Sequence, residues 1–507
     1  MNYQSVRLFI FFSIAFASYK GSAQSNKLII HFDENKTYQT IRNFAASDAW
    51  ACQFVGNWPD EKKNRMADWL FSMDTLSNGS PKGIGLSMWR FNIGAGSAEQ
   101  GDSSGISDVW RRAASFPVKK GEKASAEVKG QLWFLEAAKK RGVQQFLGFF
   151  NSPPVWLTKN SKAYATGGKC NIDSSLYTAF ATYAANVVNG VKKQAGITFN
   201  YLSPVNEPQW DWSDGGQEGC PYNNTEISNL TKKFNDVFLQ KGLSAKLLIT
   251  ESGHLNYLLG NDDKSKKGSQ VYDFFTPAST LYIGKLPALA QVIASHSYFT
   301  TSPLLQAISI RNKIRDSINN IKGLEYWQSE YCILGDNAGE INGDKRDTGM
   351  NAALYIARVI NTDITEANAA AWQWWTAISA YDYKDGLIYI DKNEKDGNYY
   401  DSKMLWVLGN YSRFVRPGMK RIDASFPEIK DIYVSGFINS NTKEIMWVLV
   451  NTGNDAKEVS LQSDNSNHSY KKLILYKTDK DENLGKHDVT DSKIMLPAKS
   501  VVTIIMK

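Results

Sequence analysis

Short apolar runs alternate with longer stretches of helical period through most of the chain. Residues 86–93 read as a buried strand that ends in Gly94-Ala-Gly96. Residues 132–141 read as the end of a helix, with basic residues in its last turn and Gly142 just past it. Residues 146–150 form the next strand, closed by Asn151-Ser-Pro-Pro154. Leu176, Phe180, Tyr183, Ala184, Val187, Val188 and Val191 then keep helical spacing, with Asp173 or Ser174 as the N-cap. The pattern repeats: a strand to Glu207, a helix through Ile227, Leu230, Phe234, Val237 and Phe238, and a strand 246–250 ending at Glu251. A strand 292–298, a helix over about 304–321, a strand to Glu330, a helix 348–364 and a strand 369–375 follow. Such alternation predicts a parallel sheet with crossover helices.

Counting residues 43–47 as the first strand gives eight, which favours a closed (β/α)8 TIM barrel over an open doubly wound sheet. No Gly-x-Gly-x-x-Gly follows that first strand, which weakens a dinucleotide-binding alternative. From about residue 410 the period changes. Segments 431–438, 444–450, 472–476 and 501–505 are strands separated by Asn, Asp, Gly and Ser turns. This predicts an appended all-β sandwich. The segment 27–32 is expected to add a strand to it, so that the sandwich clasps the barrel from both ends. The expected organisation is a signal peptide 1–23, N-terminal strand 24–42, catalytic barrel 43–408 and C-terminal sandwich 409–507.

The start of the chain sets the compartment. Arg7 precedes ten mostly apolar residues, 8–17, and Gly21-Ser-Ala23 supplies small residues before Gln24. That is the pattern of a secretory signal, too short to serve as a stable anchor. No Cys follows for lipid attachment, and no second long apolar stretch occurs. A soluble, secreted or periplasmic protein without a membrane span is expected. Export permits disulfides. Cys170 and Cys220 both fall in Gly-rich loops after strands and are able to pair, whereas for Cys52 and Cys332 pairing stays open.

Composition narrows the function. Hydrophobic residues make up 42% of the 507, enough for a sizeable core. Aromatic residues reach 12%, with 15 Trp and 24 Tyr. Ring faces pack on the C–H face of a pyranose, although core packing is the competing use of the same residues. The net charge of +7 is dispersed, so no basic stripe for nucleic acid is evident. With 5 His, 4 Cys, no Cys-x-x-Cys and no His-x-x-x-His, neither a metal nor another cofactor is expected.

Two carboxylates carry the chemistry. Glu207, in Asn206-Glu-Pro208, and Glu330, in Trp327-Gln-Ser-Glu-Tyr-Cys332, each end a short apolar strand. That is where barrel enzymes place catalytic groups. Two acids facing each other across one barrel mouth are the minimum for glycoside hydrolysis. Glu251 also ends a strand, but it lacks the Asn partner, and a hydrogen-bonding role fits it better than the acid role. His296-Ser-Tyr298 and Trp375 close two further strands.

Together these motifs resemble family 30 of the glycoside hydrolases, in the clan of retaining (β/α)8 enzymes. The resemblance covers nearly the whole mature chain. It rests on Arg90, Asn151-Ser-Pro-Pro-Val-Trp156, Ser203-Pro-Val-Asn-Glu-Pro-Gln209, His296-Ser-Tyr, Ser329-Glu and Leu496-Pro-Ala-Lys-Ser500. It implies Glu207 as acid/base, with a proton to give near neutrality, and Glu330 as nucleophile. It further implies that Asn206 holds the substrate 2-hydroxyl, that Arg90 keeps Glu330 ionised and that Tyr298 bonds the nucleophile or sugar. Trp156 and Trp375 would wall the innermost subsite, and His296 would orient a catalytic group. The stretches Ala46-Ser-Asp48-Ala-Trp50 and Gln209-Trp-Asp-Trp212 resemble the endo-β-1,6-galactanase branch. By that likeness Asp48 and Trp50 would contact the terminal-side galactose, with loop capping as the alternative for Asp48. Trp210 and Trp212 would be aglycone platforms or packing. The expected partner is a polysaccharide or oligosaccharide, acted on by a monomer. The alternatives are the same mechanism on β-1,6-glucan or xylan, or a non-catalytic sugar-binding protein.

Overall fold

A computed structural model describes residues 27–118, 121–260, 263–465, 472–489 and 494–507. The expected signal peptide, 1–23, lies outside the described residues. Eight parallel strands close a barrel in sequence order: β2 (Asn43–Ser47), β3 (Met88–Asn92), β4 (Gln145–Phe149), β5 (Tyr201–Ser203), β6 (Lys246–Ser252), β7 (Leu289–His296), β8 (Glu325–Glu330) and β9 (Ala371–Trp374). Closure is the pairing of β9 with β2, from Asn43 against Ala371 to Ala46 against Trp374. Every residue of β2, β3 and β9 is buried, because one face fills the barrel and the other meets the helices. Strand and helix alternation in the sequence therefore corresponds to this barrel.

The crossover helices obey local rules. Asn223 and Glu226 form a reciprocal capping box on helix Asn224–Gln240. Ser125 caps Ala126–Lys140 at Val128 N–H. Asp173 caps the short turn Ser174–Leu176 rather than the helix Tyr177–Ala195 that follows, and Ser174 lies within that turn. That helix ends at Gly196, whose φ of 66° suits a residue without Cβ.

After β9 comes a small sheet of β10 (Thr376–Ser379), β11 (Gly386–Ile390) and β12 (Tyr399–Asp401), which the sequence reading did not anticipate. Helix Lys403–Ser412 follows. The expected barrel limit at residue 408 thus falls inside a helix. The all-β part starts with β13 (Lys420–Ser425) and continues through β14 (Ile432–Ile438), β15 (Ile445–Asn451), β16 (Lys457–Ser463), β17 (Leu473–Thr478), β18 (Gly485–Asp488), β19 (Ile494–Leu496) and β20 (Ser500–Met506). β1 (Lys27–Thr40) joins it between β13, antiparallel, and β16, parallel. All nine form one hydrogen-bonded sheet, curled so that β19 lies against β15 and β20.

β15 explains why its sequence lacks alternation. Ile445, Trp447 and Leu449 face the sheet's own core with Leu28, Ile30 and Phe32. Met446, Val448 and Val450 face the other way and join the barrel core. Helix Met350–Glu366 supplies that second contact, and helix Lys403–Ser412 packs beside it on β17 and β20. Among the described residues no helix is long and apolar enough to cross a membrane.

Candidate active site

The C-terminal ends of β3, β5, β6, β7 and β8 bring five polar side chains into one buried group. Arg90 comes from β3, Glu251 from β6, His296 from β7 and Glu330 from β8, while Glu207 lies four residues past β5. Arg90, Glu251 and His296 are fully buried, and Glu207 and Glu330 nearly so. His296 sits between three carboxylates: its Nδ1 is 2.8 Å from Glu207 and 3.5 Å from Glu330, and its Nε2 is 3.3 Å from Glu251. A register shift between Ser295 and His296 sets His296 opposite Glu330. Arg90 Nη1 donates to Glu330 Oε2 at 3.0 Å, and Nη2 lies 3.8 Å from Glu251, an ion-pair contact rather than a hydrogen bond. Tyr298 donates its hydroxyl to Glu330 Oε1 at 3.2 Å.

Backbone conformation aims the acids. Glu207 and Glu251 both have left-handed φ, 43° and 50°. Such conformations persist in a non-Gly residue only where surrounding bonds enforce them. Glu207 N–H donates to Glu251 O at 2.7 Å, and the indole N–H of Trp212 donates to Glu207 O at 3.0 Å.

The charges follow from these contacts. Burial alone would lower His296, but the charge of Glu330 and hydrogen bonds to Glu207 and Glu251 outweigh it and raise the imidazole to about 10. His296 is therefore an imidazolium near neutrality and not a base. Its folded value lies above the ~6.5 of a free imidazole. The stability it contributes is thus complete below ~6.5 and is lost as pH rises toward about 10. Burial would raise Glu251, yet His296, Arg90 and the Ser203 hydroxyl hold it below the usual carboxylate range. An ionised, fully buried Glu251 anchors the two cations and is not placed to deliver a proton. Burial pushes Glu330 up, and His296 and Arg90 offset only part of that rise. Arg90 therefore shares with His296 the task of favouring the carboxylate. The Arg90→Met variant is expected to move the acid limb of the pH–kcat/KM profile upward by about 1–3 units, because losing a nearby cation raises a carboxyl pKa. An unmoved limb would show that Arg90 does not set this charge.

Glu207, His296 and Glu330 present ligand atoms within 4.8 Å of one another, close enough to hold a cation. However, the Nδ1–Glu207 hydrogen bond occupies the nitrogen that a metal would need.

Glu207 and Glu330 open into a cleft of about 700 Å³ lined also by Asn206, Trp210, Trp212, Tyr298, Phe299, Leu334 and Trp375. A larger groove of about 1150 Å³ runs between helices Leu304–Asn319 and Met350–Glu366 and strands β13 and β14. It contains no strand-end carboxylate pair, and its Arg358 is already paired with Glu340 at 2.5 Å. Asn206 Nδ2 donates to Asn151 Oδ1 at 3.1 Å, and Asn151 Nδ2 donates to Asn92 Oδ1 at 3.4 Å. This amide ladder leaves Asn206 Oδ1 unpartnered among the described residues, at the cleft.

Three sequence expectations meet a different geometry. Asp48 is buried, with Oδ1 accepting from Asn92 N–H at 2.7 Å and Oδ2 from Gln131 at 3.2 Å. It ties β2 to β3 and is not a cleft-lining residue. Its burial pushes it up to about 8 against those bonds. Trp50 stands behind the cleft wall, edge-on to Trp375 at 5.2 Å. Trp156 is 55% exposed and leans edge-on against Tyr183 at 5.2 Å, away from the cleft lining.

Sequence reasoning missed Asn92, Phe299 and Glu218. Glu218 pins the loop after β5 to the loop after β3: Oε2 accepts from Ala95 N–H at 2.9 Å and Oε1 from the Ser97 hydroxyl at 2.6 Å. Burial pushes it up to about 7. Cys170 and Cys220 come within side-chain hydrogen-bonding reach of each other, and Asn171 N–H donates to Cys220 Sγ at 3.4 Å. All four thiols are buried and free.

Known proteins share this architecture. A curated endo-β-1,6-galactanase of Hypocrea rufa is 22% identical over 457 residues, covering 87% of this chain and 84% of the relative. The crystal structure of a conserved exported protein from Bacteroides fragilis matches with a TM-score of 0.85 at 33% identity, over 94% of this chain and 100% of that one. The catalytic domain of a xylanase C from Talaromyces cellulolyticus shares the fold at TM-score 0.68 and 21% identity, over 94% and 100% of the two chains. The family model for O-glycosyl hydrolase family 30 matches residues 27–389, and with that span, the closed barrel and the paired strand-end glutamates, the chain belongs to that family.

Proposed function

We propose that this family member is an exported, retaining β-glycosidase that cuts β-1,6-galactan. The observation that carries the reading is the spacing of Glu207 and Glu330, whose nearest oxygens lie within 4.8 Å across His296. Retaining enzymes hold their carboxyl groups about 5–5.5 Å apart, whereas inverting ones leave ~6.5–9.5 Å for a water.

Glu330 attacks the anomeric carbon, forming a C–O bond as the glycosidic C–O bond breaks. Glu207 gives its proton to the departing oxygen. His296 donates to Glu207 Oε1, which leaves the other oxygen to carry that proton. Once Glu330 is esterified, its negative charge is gone and Glu207 serves as base for the incoming water. Asn206 Oδ1 accepts from the sugar 2-hydroxyl, its direction set by Asn151. Tyr298 and Arg90 hold Glu330, and Trp375 walls the glycone side. The galactan assignment draws on the Hypocrea relative, aligned across most of both chains.

A panel of linkage-defined oligosaccharides, followed by NMR of the first-formed anomer, tests both parts. Cleavage of 1,6-linked galactan with initial β-product is expected. Initial α-product would overturn retention. Intact galactan alongside cut 1,6-glucan or xylan would overturn the substrate.

A further inference from the structure

Beyond the two acids, one exposed side chain stands out. Phe299 is 63% exposed, although it follows the fully buried His296 by only three residues. Its φ is 58°, a left-handed conformation that a bulky aromatic residue seldom adopts. A single exposed apolar residue needs no explanation by itself. Here the backbone on both sides is fastened from below. Arg311 Nη1 donates to Thr300 O at 2.6 Å, and Thr300 N–H to Ser297 O at 3.4 Å. Ser297 Oγ donates to Asp363 at 3.2 Å, and Arg311 Nε bonds the same carboxylate at 2.7 Å. A fully buried ion pair thus supports a turn whose apex displays one ring to the cleft.

Trp210 packs edge-to-face against it, with centroids 6.1 Å apart and planes at 89°, so that the two rings form one corner of the cleft. Trp210 is braced from behind by His254 at 5.7 Å and Tyr257 at 6.2 Å. Both rings line the cleft with Leu334. Their side is defined by the acid: Trp210 follows Glu207 by three residues, and the turn bearing Phe299 starts at His296, which bonds Glu207. The glycone-side wall, Trp375 with Trp50 behind it, belongs to other loops.

We propose that Phe299 is a specificity-determining residue which, with Trp210, holds the first sugar on the leaving-group side of the cleft. The inference rests on the glycosidase reading and deepens it. Two perpendicular rings receive a pyranose that presents a C–H face to one and an edge to the other. A substrate with sugar on the leaving side gains this contact; one with a monatomic leaving group does not.

The test compares kcat/KM for a cleaved oligosaccharide with that for the β-glycosyl fluoride of the same glycone. In Phe299→Ala the oligosaccharide-to-fluoride ratio is expected to fall about 10-fold, and Phe299→Tyr to restore it. An unchanged ratio, or an equal loss on both substrates, overturns the proposal, the second by showing a structural role only. Wild-type protein inert toward both substrates would instead overturn the glycosidase reading and this inference with it.

Discussion

Replacing Glu330 by Gln is expected to lower turnover by on the order of 10⁴ while the protein stays folded. Gln matches Glu in shape; its amide oxygen still accepts from Arg90, while its NH2 takes the place of the oxygen that faces Tyr298, whose hydroxyl is able to turn and accept, so packing at this buried position is retained. It lacks the anionic oxygen that attacks carbon. Glu330→Ala gives a sharper reading. It leaves a gap on the nucleophile's face that azide is able to enter. The product should then be the glycosyl azide of inverted configuration. Glu207→Ala should instead yield the azide of retained configuration from a substrate with a good leaving group, because the glycosyl-enzyme still forms. Equal turnover by wild type and Glu330→Gln would remove Glu330 from the mechanism. Interchange of the two azide products would instead reverse the roles of the glutamates.

The largest expected effect on stability lies below the site. Arg311→Met should cost about 3–5 kcal/mol, because it leaves the Asp363 carboxylate buried without its cation. Arg311 and Asp363 are both fully buried, 2.7 Å apart, and Trp372 and Ser297 bond the same carboxylate. Burial already raises Asp363 despite the opposing charge of Arg311. Removing Arg311 raises it further. A folded-state pKa above the unfolded ~3.9 means that stability falls as pH rises past that value. The deficit of the variant should therefore be larger at pH 8 than at pH 5 in denaturant titrations. The double variant Arg311→Met/Asp363→Leu should recover much of the loss, since no unpaired charge remains. A pH-independent deficit would mean that lost packing, rather than the stranded carboxylate, is responsible.

Much of the fold was legible because the signals are local. A parallel strand buried on both faces reads as an apolar run, and a crossover helix repeats every three or four residues. The capping box at Asn223 and the Gly196 terminus belong to the same category. Segment 376–412 was not legible, since β10 to β12 are short strands joined by loops rather than by helices. Nor was the two-sided burial of β15, where an unbroken apolar run serves two cores.

The candidate site divides along the same line. Glu207, Glu330, Arg90, Asn206, His296 and Tyr298 were recognisable from strand ends and motif, and the structure brings all six together. Trp50, Trp156 and Asp48 were assigned by resemblance to the family alone, and a loop's path decides which way a ring or carboxylate faces. Asp48 turned inward because Asn92 N–H and Gln131, distant in sequence, needed an acceptor. Phe299 gave no signal at all, because its exposure results from a turn held by Arg311 and Asp363.

By itself the sequence determined which residues end barrel strands and which chemical types stand there, since strand length and apolar period are encoded within a few neighbouring residues. Only the tertiary structure decided the charges: an imidazolium at His296, an ionised Glu251 and a raised Glu330. Those states depend on burial and on partners carried by other strands of the barrel, from neighbours to Arg90 three strands away, and neither quantity exists until the barrel closes.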